Sequence, residues 1–240
     1  MKKQVLYTLA TASLFSTILL STMVKADETI DDSTTSTAKI TFDGTNTDPV
    51  TPVNPNDPDT PVDPNNPIDP DDPDNHGTGD NGPLSIDYVS NITFGTKDIA
   101  TTGQVYHAVN ASPYVQVTDK RGVEGGWVLT ASASKFTASD NSELKGAILS
   151  FKNGEAATNS DNISKKPVTN DVVFANTEAQ TVMTADSLAG EGTWVDVFNG
   201  TQGDNANVQL AVPSGSAQAK EYTATITWTL TAGPTEYKEE

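Results

Sequence analysis

Residues 221–234 read Glu-Tyr-Thr-Ala-Thr-Ile-Thr-Trp-Thr-Leu-Thr-Ala-Gly-Pro. Positions 223, 225, 227, 229 and 231 are all threonine, while Tyr222, Ala224, Ile226, Trp228 and Leu230 are apolar or aromatic. A strict period of two is the signature of a strand with one wet and one packed face, because successive side chains in extended backbone point to opposite sides. The Trp-x-Leu triplet inside this strand recurs as Trp127-Val128-Leu129. In both copies the Trp and the Leu must share a face.

Outward from this strand, short alternating runs follow one another: Leu84–Tyr88, Ile92–Phe94, Tyr114–Thr118, Gly126–Ala131, Ala147–Phe151, Asp171–Phe174, Gln180–Met183, Thr193–Phe198, Val208–Val212 and Tyr222–Thr231. Gly-, Asn- and Asp-rich separators such as Lys120–Gly125, Asn153-Gly154, Asn199-Gly200 and Pro213-Ser214-Gly215 break them up. This cadence predicts an all-β domain over 83–240, an antiparallel β-sandwich or a barrel-like variant of it. A domain of this length buries roughly 70% of its unfolded surface, so one core suffices. No Gly-rich phosphate loop is present, and only Ser142–Lys145 and Ala185–Ala189 have a briefly helical character.

Upstream the composition changes twice. Lys2 and Lys3 precede an apolar run, Val5–Leu20, that closes on Val24-Lys25-Ala26, the pattern of a secretory signal over 1–26 with cleavage after Ala26. Residues 27–82 read as a disordered, acidic Asp/Pro-rich spacer, with 14 acids against Lys39 alone. Within it prolines stand at 49, 52, 55, 58, 61, 64, 67, 70 and 73. One proline per three-residue turn matches a polyproline II rod, which over residues 48–74 would span on the order of 80 Å. The segment Asn75–Gly82 reads as a flexible joint.

The 240-residue chain carries a net charge of −18 and no cysteine. An exported chain without cysteine rests on its core alone, since disulfides are closed to it. The acidity argues against nucleic acid and anionic lipid as partners. Chemistry has few candidates. His76 falls in the joint and His107 in a loop, neither with a ligand partner in sequence. Asp69, Asp71, Asp72, Asp74 and Asp80 lack the spacing of a calcium loop, and Pro70 and Pro73 keep the backbone from wrapping an ion. Asp196, between Trp194 and Phe198, would need a second acid to cleave a glycoside, and nothing specifies one. No metal site and no cofactor are expected, and no enzyme. Trp127, Leu129, Trp228 and Leu230 are either core or a platform for a ligand, and Trp194 with Phe198 forms a possible additional aromatic patch.

Three stretches carry a resemblance: Gly-Pro-Leu-Ser-Ile-Asp-Tyr-Val-Ser-Asn-Ile-Thr-Phe-Gly at 82–95, Gly-Gly-Trp-Val-Leu-Thr-Ala at 125–131, and Thr223–Pro234. With the signal and the Asp/Pro spacer they closely resemble the WxL-domain surface proteins of low-GC Gram-positive bacteria. The resemblance implies a secreted protein attached non-covalently to the cell wall, with peptidoglycan as ligand and Trp127, Leu129, Trp228 and Leu230 as the attachment signature. It also implies a membrane-anchored WxL-interacting protein and a sortase-anchored companion as partners, and in some members host matrix proteins. No Leu-Pro-x-Thr-Gly follows Leu230, so covalent sorting is not expected. An adhesin for host matrix and a wall-active hydrolase are the alternative functions.

Overall fold

Alternating threonine and apolar residues form a strand over Ile226–Ala232, and the first Trp-x-Leu copy forms another over Trp127–Ala133. The computed structural model describes residues 33–62, 69 and 71–233. The expected signal over 1–26, residues 27–32, prolines 64, 67 and 70, and the tail after Gly233 lie outside the described residues. The chain divides into two units, 1–41 and 42–240. In the first, residues 33–41 carry no strand.

The second unit is all-β, with fourteen strands and no helix among the described residues. They begin with β1 (Val53–Asn54), β2 (Asp57–Pro61), β3 (Leu84–Val89), β4 (Gln104–Ala108) and β5 (Tyr114–Asp119). Then come β6 (Trp127–Ala133), β7 (Ile148–Phe151), β8 (Glu155–Ala157), β9 (Val168–Thr169) and β10 (Val172–Phe174). The chain finishes with β11 (Gln180–Ala185), β12 (Gly192–Val197), β13 (Asn205–Val212) and β14 (Ile226–Ala232).

Three four-stranded sheets, ordered β14-β6-β11-β9, β3-β5-β12-β8 and β10-β7-β13-β4, accompany the β1-β2 hairpin, and every sheet keeps two open edges. The antiparallel sandwich expected from the cadence is present, and it does not close into a barrel. Trp127, Leu129 and Met183 of the first sheet interdigitate with Val115, Val117 and Trp194 of the second. Ala131, Ala133 and Val182 of the first sheet meet Leu149, Phe151, Phe174 and Val208 of the third. The first sheet is therefore the shared wall of two cores. The strands differ from the expected runs in three ways: Ile92–Phe94 forms no strand, β1, β2, β4, β8 and β9 fall outside the expected runs, and the final strand starts at Ile226 rather than Tyr222.

Of the spacer and joint expected over 27–82, the described residues 42–62, 69 and 71–82 belong to the same unit as the sheets and dock on them. The Val53 N–H donates to Gln116 Oε1 (2.8 Å), and the Tyr114 hydroxyl donates to the Val53 carbonyl (2.9 Å). Ser160 N–H donates to Asp59 (2.7 Å), and fully buried Asn110 donates through Nδ2 to Asp69 (2.6 Å). Thr78 is tied to β3 by its N–H on the Asp87 carbonyl (2.9 Å) and its hydroxyl on that of Ile86 (2.5 Å). The physical reason is local. Asp and Asn side chains fold back on N–H groups two residues on, as in Asn54 to Asn56 and Asp69 to Asp71, turning a chain that proline alone would extend.

Candidate functional site

The two Trp-x-Leu strands are neighbours. β14 pairs with β6 over seven unbroken positions: Leu230 opposes Leu129, Trp228 opposes Ala131 and Ala232 opposes Trp127. Opposed residues lie on one face, so both copies present Trp and Leu to the same interior.

Their burial differs. Trp127 and Leu129, on central β6, are fully buried. The Trp127 indole Nε1–H donates to the Gly190 carbonyl (3.0 Å), which satisfies the one polar atom the ring takes inside. Gly190 sits at φ +74°, and a Cβ there would lie 2.7 Å from that indole nitrogen. Only glycine fits both the backbone and the ring. Trp228 and Leu230, on edge strand β14, are half-buried. Trp228 stacks on Phe151 with centroids 6.1 Å apart and planes 11° from parallel. Its remaining surface lines an open groove of about 530 Å³ together with Thr78, Gly79, Asp80, Asn81, Ile86 and Val89.

That groove lies where the first two sheets part at their edge strands, β14 and β3. Apolar surface comes from Trp228, Ile86 and Val89, and polar groups come from the segment ahead of β3. The Asp80 N–H donates to the Thr78 hydroxyl, which sets the turn. The side chains of Asp80 and Asn81 are exposed and make no hydrogen bond among the described residues. An aromatic floor with convergent oxygen and amide groups is the arrangement that orients a small polar ligand.

Trp194 and Phe198 do not form an outer patch. They are 3% and 2% exposed, with the Trp194 indole donating to the Glu191 carbonyl (2.9 Å) and Phe198 stacked on Phe151 (5.1 Å). The opposite face of β12 is closed as well. Val195 and Val197 pack with the stacked pair Tyr88–Tyr114 (4.4 Å) beneath Val53 of the hairpin. Burial pushes Tyr88 up to about 12 and Tyr114 higher still.

Asp196 is fully buried on β12 and neither carboxylate oxygen has a partner among the described residues. Desolvation pushes it up to about 7, against the pull of Lys166. Asp87, also buried, is raised by desolvation although Ser85 (2.6 Å), Gln116 (2.9 Å) and Thr118 (2.5 Å) donate to it. The two acids sit in separate surroundings and do not form a carboxylate pair across a cleft. His107 Nδ1 meets Asp204 (2.6 Å) at the surface, and His76 is exposed. No cluster of metal-ligating residues occurs among the described residues.

A family model described as "WxL domain surface cell wall-binding" matches residues 29–234. No curated protein and no solved structure matches the chain. The match takes in both Trp-x-Leu strands, the groove and the acidic segment, and the chain belongs to the WxL-domain family of surface, cell wall-binding proteins.

Proposed function

We propose that this secreted WxL-domain protein attaches to the wall by taking the glycan backbone of peptidoglycan into the groove beside Trp228. The observation that carries the reading is the unequal burial of the two tryptophans. Trp127 is sealed in the core, whereas Trp228 keeps one part on Phe151 and another in an open groove beside Asp80 and Asn81. A pyranose ring offers an apolar face to the indole and hydroxyl and acetamido groups to Thr78, Asp80 and Asn81. The net charge of −18 repels polyanionic wall polymers, so the uncharged glycan is the component this surface accepts. Attachment is non-covalent and non-enzymatic in this reading, which rests on the wall-binding family, and Asp196, the one unpartnered buried acid among the described residues, lies in the core away from the groove. Residues 1–26 act as the secretory signal, and assembly with membrane-anchored and sortase-anchored companions belongs to the same reading through the family resemblance.

Co-sedimentation of the full chain with washed, protein-stripped sacculi tests this. Trp228→Ala is expected to melt cooperatively and to bind about tenfold more weakly, a loss of about 1.4 kcal/mol. A folded Trp228→Ala variant that sediments like the parent overturns the assignment of the groove. Saturable binding to fibronectin or collagen with sacculi ignored would move the function to host matrix.

A further inference from the structure

The side chains of β14 are only half of what that strand presents. Its register with β6 runs through seven residues without a shift, and the ladder continues past both ends, with Ser134 N–H on the Thr225 carbonyl (2.8 Å) and Gly233 N–H on the Gly126 carbonyl (3.0 Å). In an antiparallel pair, directly bonded and non-bonded positions alternate. Thr225 and Gly233 are bonded positions, so Thr227, Thr229 and Thr231 are bonded to β6 as well. The N–H and C=O groups of Ile226, Trp228, Leu230 and Ala232 therefore point away from β6. β14 is the last strand of its sheet, and among the described residues no other strand pairs with it. The residues of the Trp-x-Leu signature are thus the ones whose main chain faces outward.

An open edge is ordinarily guarded by proline, lysine, a bulge or brevity, because it templates pairing with another chain. β14 has none of these: Ile-Thr-Trp-Thr-Leu-Thr-Ala is uncharged, proline-free, regular in register and rich in strand-forming residues. The outward face of its sheet is uncharged too. Thr229, Thr130 and Thr181 stand in one row across three strands, Thr227 and Ser132 in a second, and Thr231, Val128, Thr184 and Val168 in a third. In a chain with 32 acids and 14 bases, that makes a neutral platform ending at an unguarded edge.

We infer that the outer edge of β14 takes an extended segment of another surface protein as an added strand, hydrogen-bonded to Ile226, Trp228, Leu230 and Ala232. Two features define the partner. Its outward side chains continue the threonine rows, so they are small, β-branched and uncharged. Its flanks are basic, because Glu221 precedes the strand and Asp80 stands over the groove at the same side. A second copy is disfavoured by the −18 charge each chain carries.

Residue-resolved amide exchange on the full chain tests this, with the blocked peptide acetyl-Lys-Thr-Val-Thr-Val-Thr-Lys-amide as probe. In the free chain the amides of Thr227, Thr229 and Thr231 are expected to exchange slowly and those of Ile226, Trp228, Leu230 and Ala232 fast. Saturating peptide slows the second set by about tenfold, and a version with glutamates in place of its lysines does so less. Ala232→Pro removes an outward N–H without breaking the ladder to β6; it should abolish the peptide effect while sacculus binding persists. Trp228→Ala should do the reverse, so failure of this inference and failure of the groove reading are separable. Fast and slow amides in the opposite alternation, no slowing by peptide, or unchanged peptide protection in Ala232→Pro would each overturn it.

Discussion

Replacing Asp196 by asparagine should make the protein more stable above about pH 4, by a margin that grows until about pH 7 and is level beyond it. The carboxyl is fully buried, both oxygens lack a partner among the described residues, and burial raises it from 3.8 to about 7. A group raised in the folded state binds its proton more tightly there than in the unfolded chain. Its stabilising contribution is complete below pH 3.8 and is lost as pH climbs through about 7. At about 1.4 kcal/mol per unit of displacement, the wild type forfeits on the order of 4 kcal/mol across that window. Asparagine is nearly the shape of the protonated acid and stays neutral throughout. Urea unfolding of both proteins from pH 4 to pH 8, followed by tryptophan fluorescence, should give matching stabilities at the acid end and a gap opening to a few kcal/mol by pH 8. Every other titrating group is common to the two proteins and cancels. A gap constant across the range, or one that favours the wild type at pH 8, would refute the claim that desolvation of an Asp196 carboxyl without hydrogen-bond partners outweighs the pull of Lys166.

Trp127→Ala removes a fully buried ring and should cost about 3–5 kcal/mol, read as a fall in melting temperature that Trp228→Ala does not approach. Gly190→Ala places a methyl against the Trp127 indole at φ +74°; the backbone alone costs about 1–3 kcal/mol, and near-ultraviolet circular dichroism should report the displaced ring. A chain begun at Pro83 strips Asn110 and Gln116 of the partners they hold in Asp69 and Val53. Each orphaned group costs about 1–3 kcal/mol, so 83–240 should melt well below 42–240, and equal melting would show that the acidic segment only rests on the body.

The wetter half of the fold was the legible half. Strict alternation at 222–231 revealed the strand, its two faces and the kinship with 127–129, and Leu230 does oppose Leu129. Alternation cannot rank faces that are both covered: Val195 and Trp194 point opposite ways on β12 and both are buried. Nor does it report an edge strand that turns an apolar side chain outward. β4 keeps Val105 55% exposed, which erased the pattern that would have marked it. The groove escaped for another reason. Thr78, Asp80 and Asn81 read as a joint because turn chemistry and flexible-loop chemistry use the same residues, and only the hydrogen bonds to Ile86 and Asp87 distinguish them. The acidic segment was misjudged in part for the same cause, since its docking depends on Gln116, Asn110 and Tyr114, far away in sequence.

The pairing of β6 with β14 also has a temporal side. Thr130 and Thr229, hydrogen-bonded partners, are 99 residues apart in the chain, and β6, in the wall shared by the two cores, has one flank open until β14 pairs with it. Contacts of such separation form late and slowly. The wall shared by the two cores is complete only once β14 has paired with β6, so the core around Trp127 is sealed by a contact of long sequence separation.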